Sequence, residues 1–387
     1  MRTLHVAALP FPSPQGTQAL LHQMLSALEV RGHDTHLLCY AHGAASRVED
    51  LGSGAYTVHR VPTRSFSGSL RSGPSLDKVW LDLGLARELA RLSALLAPDL
   101  IVAHHVEAAA ACALALRDRR VLFVAHTSLA DELPTYVPEA WGPLARKLGA
   151  GVDRSLTRRS HRTVAVSPVL AELLSTASAR TVESLPLPWP LATPIVREAA
   201  LAARAALGLS ESAEVTLYAG NLDGYQGLSA LLPGLALAAD RRPALRLLIA
   251  TESDPRALQR ALRAADLLDR THFSPLADEG ARRLVHAAAD CALVPRLSVG
   301  GVPIKLLDAL ARGVPVVASR TALAGYALDA YCACVDEQTP ARWAEAIACT
   351  LDDRASAHAC AAAGRAYIGQ RHTAEQFTHA IERYARS

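Results

Sequence analysis

The chain has 387 residues, with 40 Lys and Arg against 37 Asp and Glu and a formal net charge of +3. Half of its residues are apolar and 20% are charged, which fits a globular protein of two domains, each with its own core, and excludes a disordered chain. So small a charge excess argues against nucleic acid as a partner, and no apolar run is long enough to span a bilayer.

Met1-Arg2-Thr3 leads straight into a predicted strand, Leu4 to Leu9, so neither a signal peptide nor an anchor is expected at this end. The next predicted helix opens at Gly16, carries Leu21, Met24, Leu25 and Leu28 on one face and stops at Gly32. Strands follow at Thr35 to Tyr40, Leu100 to Ala103 and Val121 to Ala125, with a helix over Val79 to Leu96. Strands alternating with helices imply a parallel sheet covered on both faces. The run Leu185-Pro186-Leu187-Pro188-Trp189-Pro190 breaks this rhythm and reads as a linker. A second series begins at Val215 to Ala219 and continues through Leu245 to Ala250, Cys291 to Val294 and Val316 to Ala318. The expected organisation is a first domain over 1–188, a second over 189–368 and a terminal segment over 369–387. Seven scattered cysteines, an odd number, predict reduced thiols in a cytoplasmic protein.

Residues 300–319 carry the densest chemical signal. Gly300-Gly301-Val302-Pro303 opens a short helix, Gly313 closes it, and a β-branched run follows at once, with the strand at Val316 to Ala318. Backbone N–H groups at such a helix start have no intrahelical partner and suit a phosphate or a polar sugar. Lys305 in the first turn opposes the helix dipole unless an anion lies nearby, and Asp308 sits where it can reach a pair of hydroxyls. An ordinary loop–helix–strand joint with a solvated lysine fits the same residues.

Asp308-Ala309-Leu310-Ala311 followed by Gly313-Val314-Pro315-Val316-Val317-Ala318 resembles the nucleotide-sugar segment of retaining GT-B glycosyltransferases of family 4. That segment usually reads Glu, a Gly-rich turn, Glu-Ala-Met-Ala, then Gly-x-Pro-Val-Val-Ala; here Gly300 stands where the first Glu is expected. The resemblance covers nearly the whole chain. It implies an α/β, GT-B fold of two doubly wound Rossmann-like domains facing a cleft. It also implies that a last helix, here Thr373–Tyr384, crosses back onto the first domain.

The resemblance assigns further residues. After the first strand the family usually has a Gly-Gly pair; here Gln15 replaces the first Gly and Gly16 keeps the second, with Thr17 beside it in the implied donor site. His104, at the end of Asp99-Leu100-Ile101-Val102-Ala103-His104-His105, aligns with a histidine beside the donor sugar, and His126 in Ala125-His126-Thr127-Ser128 resembles the acceptor-side pattern. Related chains often read Gly-Arg-Leu, three residues, then Lys-Gly, whereas Tyr218-Ala219-Gly220-Asn221-Leu222-Asp223-Gly224-Tyr225-Gln226-Gly227 carries neutral Asn221 and Gln226. Lys305 and Arg296 are then expected to supply the missing positive charge, or the chain binds sugar nucleotides without efficient turnover.

The chain lacks Asp-x-Asp, His-x-x-x-His and Cys-x-x-Cys spacings, so metal-independent transfer without a cofactor is expected. The family's same-face substitution implies transfer of a hexose-type sugar, with retention, from a UDP- or GDP-sugar to a glycan, lipid-linked or small-molecule acceptor. In that scheme His104 orients the sugar, Asp308 holds the ribose, and Lys305 and the Pro303 helix start stabilise the leaving diphosphate. Amides around Gly300, Gly301 and Val302 replace the absent carboxylate. Two other readings stand beside it: a non-catalytic sugar-nucleotide-binding scaffold, and a GT-B epimerase, for which no acid/base pair of carboxylates stands out.

Residues 141–162 hold six cations, Arg146, Lys147, Arg154, Arg158, Arg159 and Arg162, against Asp153 alone. Lys147, Arg154, Arg158 and Arg162 can share a helical face, preceded by Leu129, Leu133, Tyr136, Val137 and Trp141. Phe66 and Leu70, with Arg64 and Arg71, could border the same cleft. These residues read either as a solvated helix with a loop or as a peripheral contact with the inner face of an anionic membrane.

Overall fold

The computed structural model describes residues 1–12, 16–41, 56–61, 76–116, 119–297, 301–326 and 328–386. Gln15, Gly300 and the Phe66 and Leu70 loop with Arg64 and Arg71 lie outside the described residues.

The first half runs β1 (Arg2–Pro10), α1 (Gly16–Val30), β2 (Asp34–Tyr40), β3 (Thr57–Val61), α2 (Leu76–Leu96), β4 (Leu100–His104) and α3 (His105–Ala115). It continues with β5 (Val121–Ala125), α4 (Leu129–Glu132), α5 (Gly142–Arg159), β6 (Arg162–Ala165), α6 (Pro168–Ser178) and β7 (Glu183–Ser184). Among the described residues these strands form one parallel sheet in the order β3-β2-β1-β4-β5-β6-β7. Its central strands are short and buried end to end, as Leu100–His104 and Val121–Ala125 illustrate. Helices cover both faces, so the central strands β4 and β5 are covered throughout and read as continuous apolar runs.

The second half runs α7 (Arg197–Ala206), β8 (Glu214–Ala219), α8 (Leu228–Arg241), β9 (Leu245–Ala250), α9 (Arg256–Ala264), β10 (Thr271–Ser274), α10 (Glu279–Ala288) and β11 (Cys291–Val294). Then come α11 (Ile304–Ala311), β12 (Val316–Ser319), α12 (Arg320–Leu323), β13 (Ala333–Val335), α13 (Pro340–Asp352), α14 (Arg354–Arg371) and α15 (Ala374–Arg386). The second sheet is also parallel, in the order β10-β9-β8-β11-β12-β13.

The proline-rich joint is anchored rather than loose. Leu185, Leu187 and Trp189 are buried, and the Trp189 N–H donates to the His372 carbonyl at 2.9 Å, where α14 gives way to α15. Helix α15 carries Phe377, Ile381 and Tyr384 into the core of the first sheet. Its outer edge is tied there as well: Glu382 lies 3.0 Å from His33, and the Tyr384 hydroxyl donates to Glu183 at 2.9 Å. Fully buried aromatic anchors of this kind stabilise a docked helix by several kcal/mol, on the order of 3–5 for Phe→Ala.

One expected helical face is interrupted. Ser160 takes an extended backbone conformation and ends α5 at Arg159, so Arg162 starts β6 and pairs with Glu183 at 3.2 Å. Arg162 therefore does not share a face with Lys147, Arg154 and Arg158. Arg154 and Arg158 donate to the carbonyls of Ala177 and Ser178 at 2.8 and 2.9 Å, which satisfies backbone acceptors at the end of α6. The exposed apolar residues of α5 form a stripe that the basic pattern hides: Leu144, Leu148 and Val152, preceded by Trp141. No helix among the described residues is long and apolar enough to cross a membrane.

Candidate active site

Each sheet reverses its strand order next to its first strand, between β1 and β4 in the first and between β8 and β11 in the second. In doubly wound folds, ligands bind beyond the strand C-termini at such a reversal. Here the two reversals line the same cavity, of about 410 Å³. The first sheet contributes Gly16, Thr17, His105, His126 and Thr127; the second contributes Gly220, Asn221, Gln226 and Arg296, with 301–305 and Asp308 from the α11 segment.

Lys305 is the centre of charge. It sits at the start of α11, and its Nζ donates to Gln226 Oε1 at 2.7 Å and to the Tyr218 hydroxyl at 3.0 Å. The ammonium also lies 4.2 Å from the centre of the Tyr218 ring. Gly220, at φ +141°, makes room, since a Cβ there would lie 3.3 Å from Lys305 Cε. Burial and then the Arg296 guanidinium push the lysine down to about 7, with Asp223 opposing them. Gln226 thus accepts from the cation, and Asn221 donates through Nδ2 to Asp223 at 2.9 Å.

Asp308 lines the cavity, but part of its carboxylate is already engaged. Its Oδ1 accepts from Arg312 Nε at 3.0 Å, and its Oδ2 lies 3.8 Å from His286. Burial raises its pKa, yet His286, Arg312 and Arg282 together outweigh burial and hold the carboxyl below its ordinary range. Arg312 is held in turn by Glu279 at 2.7 Å. The carboxylate is therefore fixed and ionised, with its remaining acceptor capacity available to a hydroxyl pair.

Two glycines bring the halves together. Gly301 has φ +73°, and a Cβ on it would lie 2.6 Å from the His126 carbonyl oxygen across the cleft. Gly16 opens α1 with Ile304 of α11 at 3.4 Å from where its Cβ would stand. Gly301 requires glycine both for this close approach and for its left-handed backbone, whereas a Cβ on Gly16 would only touch Ile304. Pro303 caps α11 rather than occupying its first turn, which places Lys305 two residues inside the helix.

His126 lines the cavity, whereas His104 stands differently from the sequence expectation. His104 is 1% exposed and lies behind His126, with its Nδ1 3.1 Å from His126 Nε2. It is His105, at φ +68°, that reaches the cavity wall and stacks on His126 with ring centres 4.3 Å apart. The β4–α3 joint has no intervening loop, so consecutive residues take opposite sides, the first inward and the second to the cleft. Burial and then the neighbouring imidazoles hold His104 and His126 well below the ordinary histidine value, so both are neutral. Sequence reading passed over His105, Tyr218 and Asp223; His105 was visible as half of a His-His pair at a strand end.

Residues 14–182 match Glycosyltransferase Family 4, and residues 201–367 match Glycosyl transferases group 1. Over 176 residues the chain is 28% identical to D-inositol 3-phosphate glycosyltransferase of Segniliparus rotundus, a match spanning 44% of this chain and 39% of that protein. Sucrose-phosphate synthase from Thermosynechococcus elongatus superposes with a TM-score of 0.82 at 18% identity, over 100% of this chain and 98% of that one. Anabaena HepE in complex with UDP-glucose gives a TM-score of 0.78 at 16% identity, with 100% of both chains covered. The two matched halves, the paired parallel sheets and the returning C-terminal helix place this chain among the GT-B glycosyltransferases.

Proposed function

We propose that the chain moves a hexose-type sugar, with retention and without a metal ion, from a UDP- or GDP-sugar to an acceptor hydroxyl. The observation that carries this reading is the position of Lys305. Related chains usually place Arg and Lys after the first strand of the second domain, and here that loop offers Asn221 and Gln226. Lys305 reaches from α11 to within 2.7 Å of Gln226, so a cation stands beside that loop after all. The neutral loop is therefore no argument for a non-catalytic scaffold.

In this reading the diphosphate lies between the α1 start at Gly16 and Thr17 and the α11 start at Val302 and Pro303. Unpaired backbone N–H groups at both helix starts favour the anion. Lys305, with Arg296 lining the same cavity, stabilises the negative charge that develops on the leaving diphosphate as the sugar–phosphate bond breaks. A freed phosphate oxygen accepts the proton of the acceptor hydroxyl on the same face, which preserves the anomeric configuration. Asp308 holds the ribose, and His126 with His105 borders the sugar. The charge that a divalent ion would otherwise offset is met by Lys305 and Arg296, which supports metal independence. The relative bound to UDP-glucose supports a nucleotide-sugar donor. Thermal shift with UDP-, GDP- and ADP-glucose tests the donor: a concentration-dependent rise with one of them is expected, and no rise with any defeats the assignment.

For the acceptor we favour a lipid-linked molecule met at an anionic membrane from the cytoplasmic side. Trp141, 60% exposed, precedes α5, and Leu144 and Leu148, 49% and 59% exposed, lie along it next to the exposed Lys147. Apolar residues beside cations are what a surface-seated helix needs. Sedimentation with anionic vesicles at low and high salt tests this, comparing wild type with Trp141→Ser and Leu148→Ser together. Wild type is expected to pellet at low salt and the variant to remain in solution; wild type left in solution defeats the membrane reading and points to a soluble acceptor.

A further inference from the structure

Behind the cleft lies a line of imidazoles that runs from β1 to the cavity wall. His5, in the middle of β1, is 0% exposed and places Nδ1 2.9 Å from His104 Nε2. His104 in turn places Nδ1 3.1 Å from His126 Nε2, and His126 lines the cavity. The three rings therefore connect the core of the first sheet to the cleft wall through two hydrogen bonds.

A neutral imidazole carries one N–H, so each link fixes the next. Two polarities are possible. If His104 donated to His5, the single proton of His5 would sit on Nε2, which is buried and has no hydrogen-bond partner among the described residues. An orphaned buried N–H is costly and rare, more so than an orphaned acceptor. The opposite polarity leaves only a lone pair at His5 Nε2. His5 then donates from Nδ1 to His104, His104 donates from Nδ1 to His126, and His126 Nε2 accepts.

We propose that His5 and His104 are positioning residues that hold His126 as its Nδ1–H tautomer, so that the cleft presents one fixed neutral donor to a hydroxyl of the bound sugar. Burial, which takes His5 down to about 3, keeps the line uncharged at neutral pH. His105, stacked with an interplanar angle of 18° on His126, fixes the ring plane from the cleft side. The role assigned to the sugar rests on the donor reading above; the tautomer does not.

The test is a ¹⁵N spectrum of histidine-labelled full-length protein at pH 7, in which ring-nitrogen shifts distinguish the two tautomers. It is paired with calorimetry of UDP-glucose and of UDP. His5, His104 and His126 are expected to be protonated on Nδ1. His5→Asp puts an acceptor where the Nδ1–H donor stood: His104 should carry a proton on Nε2, His126 should lose its single Nδ1–H form, and UDP-glucose should bind about three- to tenfold more weakly, as for one lost hydrogen bond, with UDP unchanged. His5→Asn, whose amide N–H stands where Nδ1–H stood, should keep both as in wild type. Wild-type His126 protonated on Nε2 overturns the proposal, and so does a folded His5→Asp protein in which His104 and His126 keep their wild-type tautomers. If His5→Asp does not fold, the wild-type spectrum alone decides. If wild type binds UDP but not UDP-glucose, the sugar role fails, while the spectrum still decides the tautomer.

Discussion

Lys305 at about 7 makes donor affinity a titration curve. The lysine of the free protein loses its proton on passing through that value, and a diphosphate binds the protonated form. A unit charge about 4 Å away at an effective dielectric constant of about 20 contributes about 4 kcal/mol, equivalent to a rise of about 3 pKa units in the complex. Binding therefore takes up a proton wherever the free lysine is neutral and the bound one is charged. The sign follows: affinity is highest below about 7 and falls as pH rises, by about tenfold per unit, until the pKa of the complex is reached. From pH 7 to 9 the loss is about 50-fold, because half of the lysine is already neutral at the start. Calorimetry with UDP-glucose in buffers of different ionisation enthalpy should show uptake of about 0.9 proton at pH 8. Lys305→Arg keeps its charge throughout, so its affinity should stay flat over the same range. A wild type as flat as the Arg variant, with no added proton uptake, would refute the reasoning.

Lys305→Ala should lower kcat about a hundredfold or more while the protein stays folded, since it removes a charge contact made to the leaving group; unchanged turnover in a folded variant removes Lys305 from the mechanism. Transfer should persist after dialysis against excess EDTA, and a loss that Mg²⁺ or Mn²⁺ restores contradicts the metal-independent reading. Gly301→Ala should destabilise the protein by about 1–2 kcal/mol through its left-handed backbone and weaken donor binding, because its Cβ would press on the His126 carbonyl. Thermal unfolding and donor titration check this, and a variant indistinguishable from wild type would mean the two halves do not meet there.

Much of the fold was legible because parallel strands buried on both faces are continuous apolar runs. Val121–Ala125, Leu245–Ala250 and Cys291–Val294 fall where the pattern sets them. The strands at Thr57–Val61 and Thr271–Ser274 were harder to read, since their half-exposed polar residues such as His59 and His272 dilute the apolar signal. The Arg162 assignment failed for a local reason: spacing of basic residues cannot detect where a backbone turns extended, as at Ser160. In the site, Lys305 could be read from its helix start, but its pairing with Gln226, 79 residues away, is a tertiary fact. His104 and His105 are neighbours whose order across a sharp joint decides which one meets the cleft. Only the left-handed backbone at His105 settles that, and histidine carries no sequence signal for it.

The most direct measurement follows the anomeric proton during incubation of wild-type protein with the nucleotide-glucose that stabilises it and a lipid-linked sugar acceptor carried in anionic vesicles. NMR should show loss of the donor signal, release of the nucleotide and a new glycosidic linkage of the same configuration as the donor. A donor that remains unchanged, or a product of inverted configuration, would contradict the account.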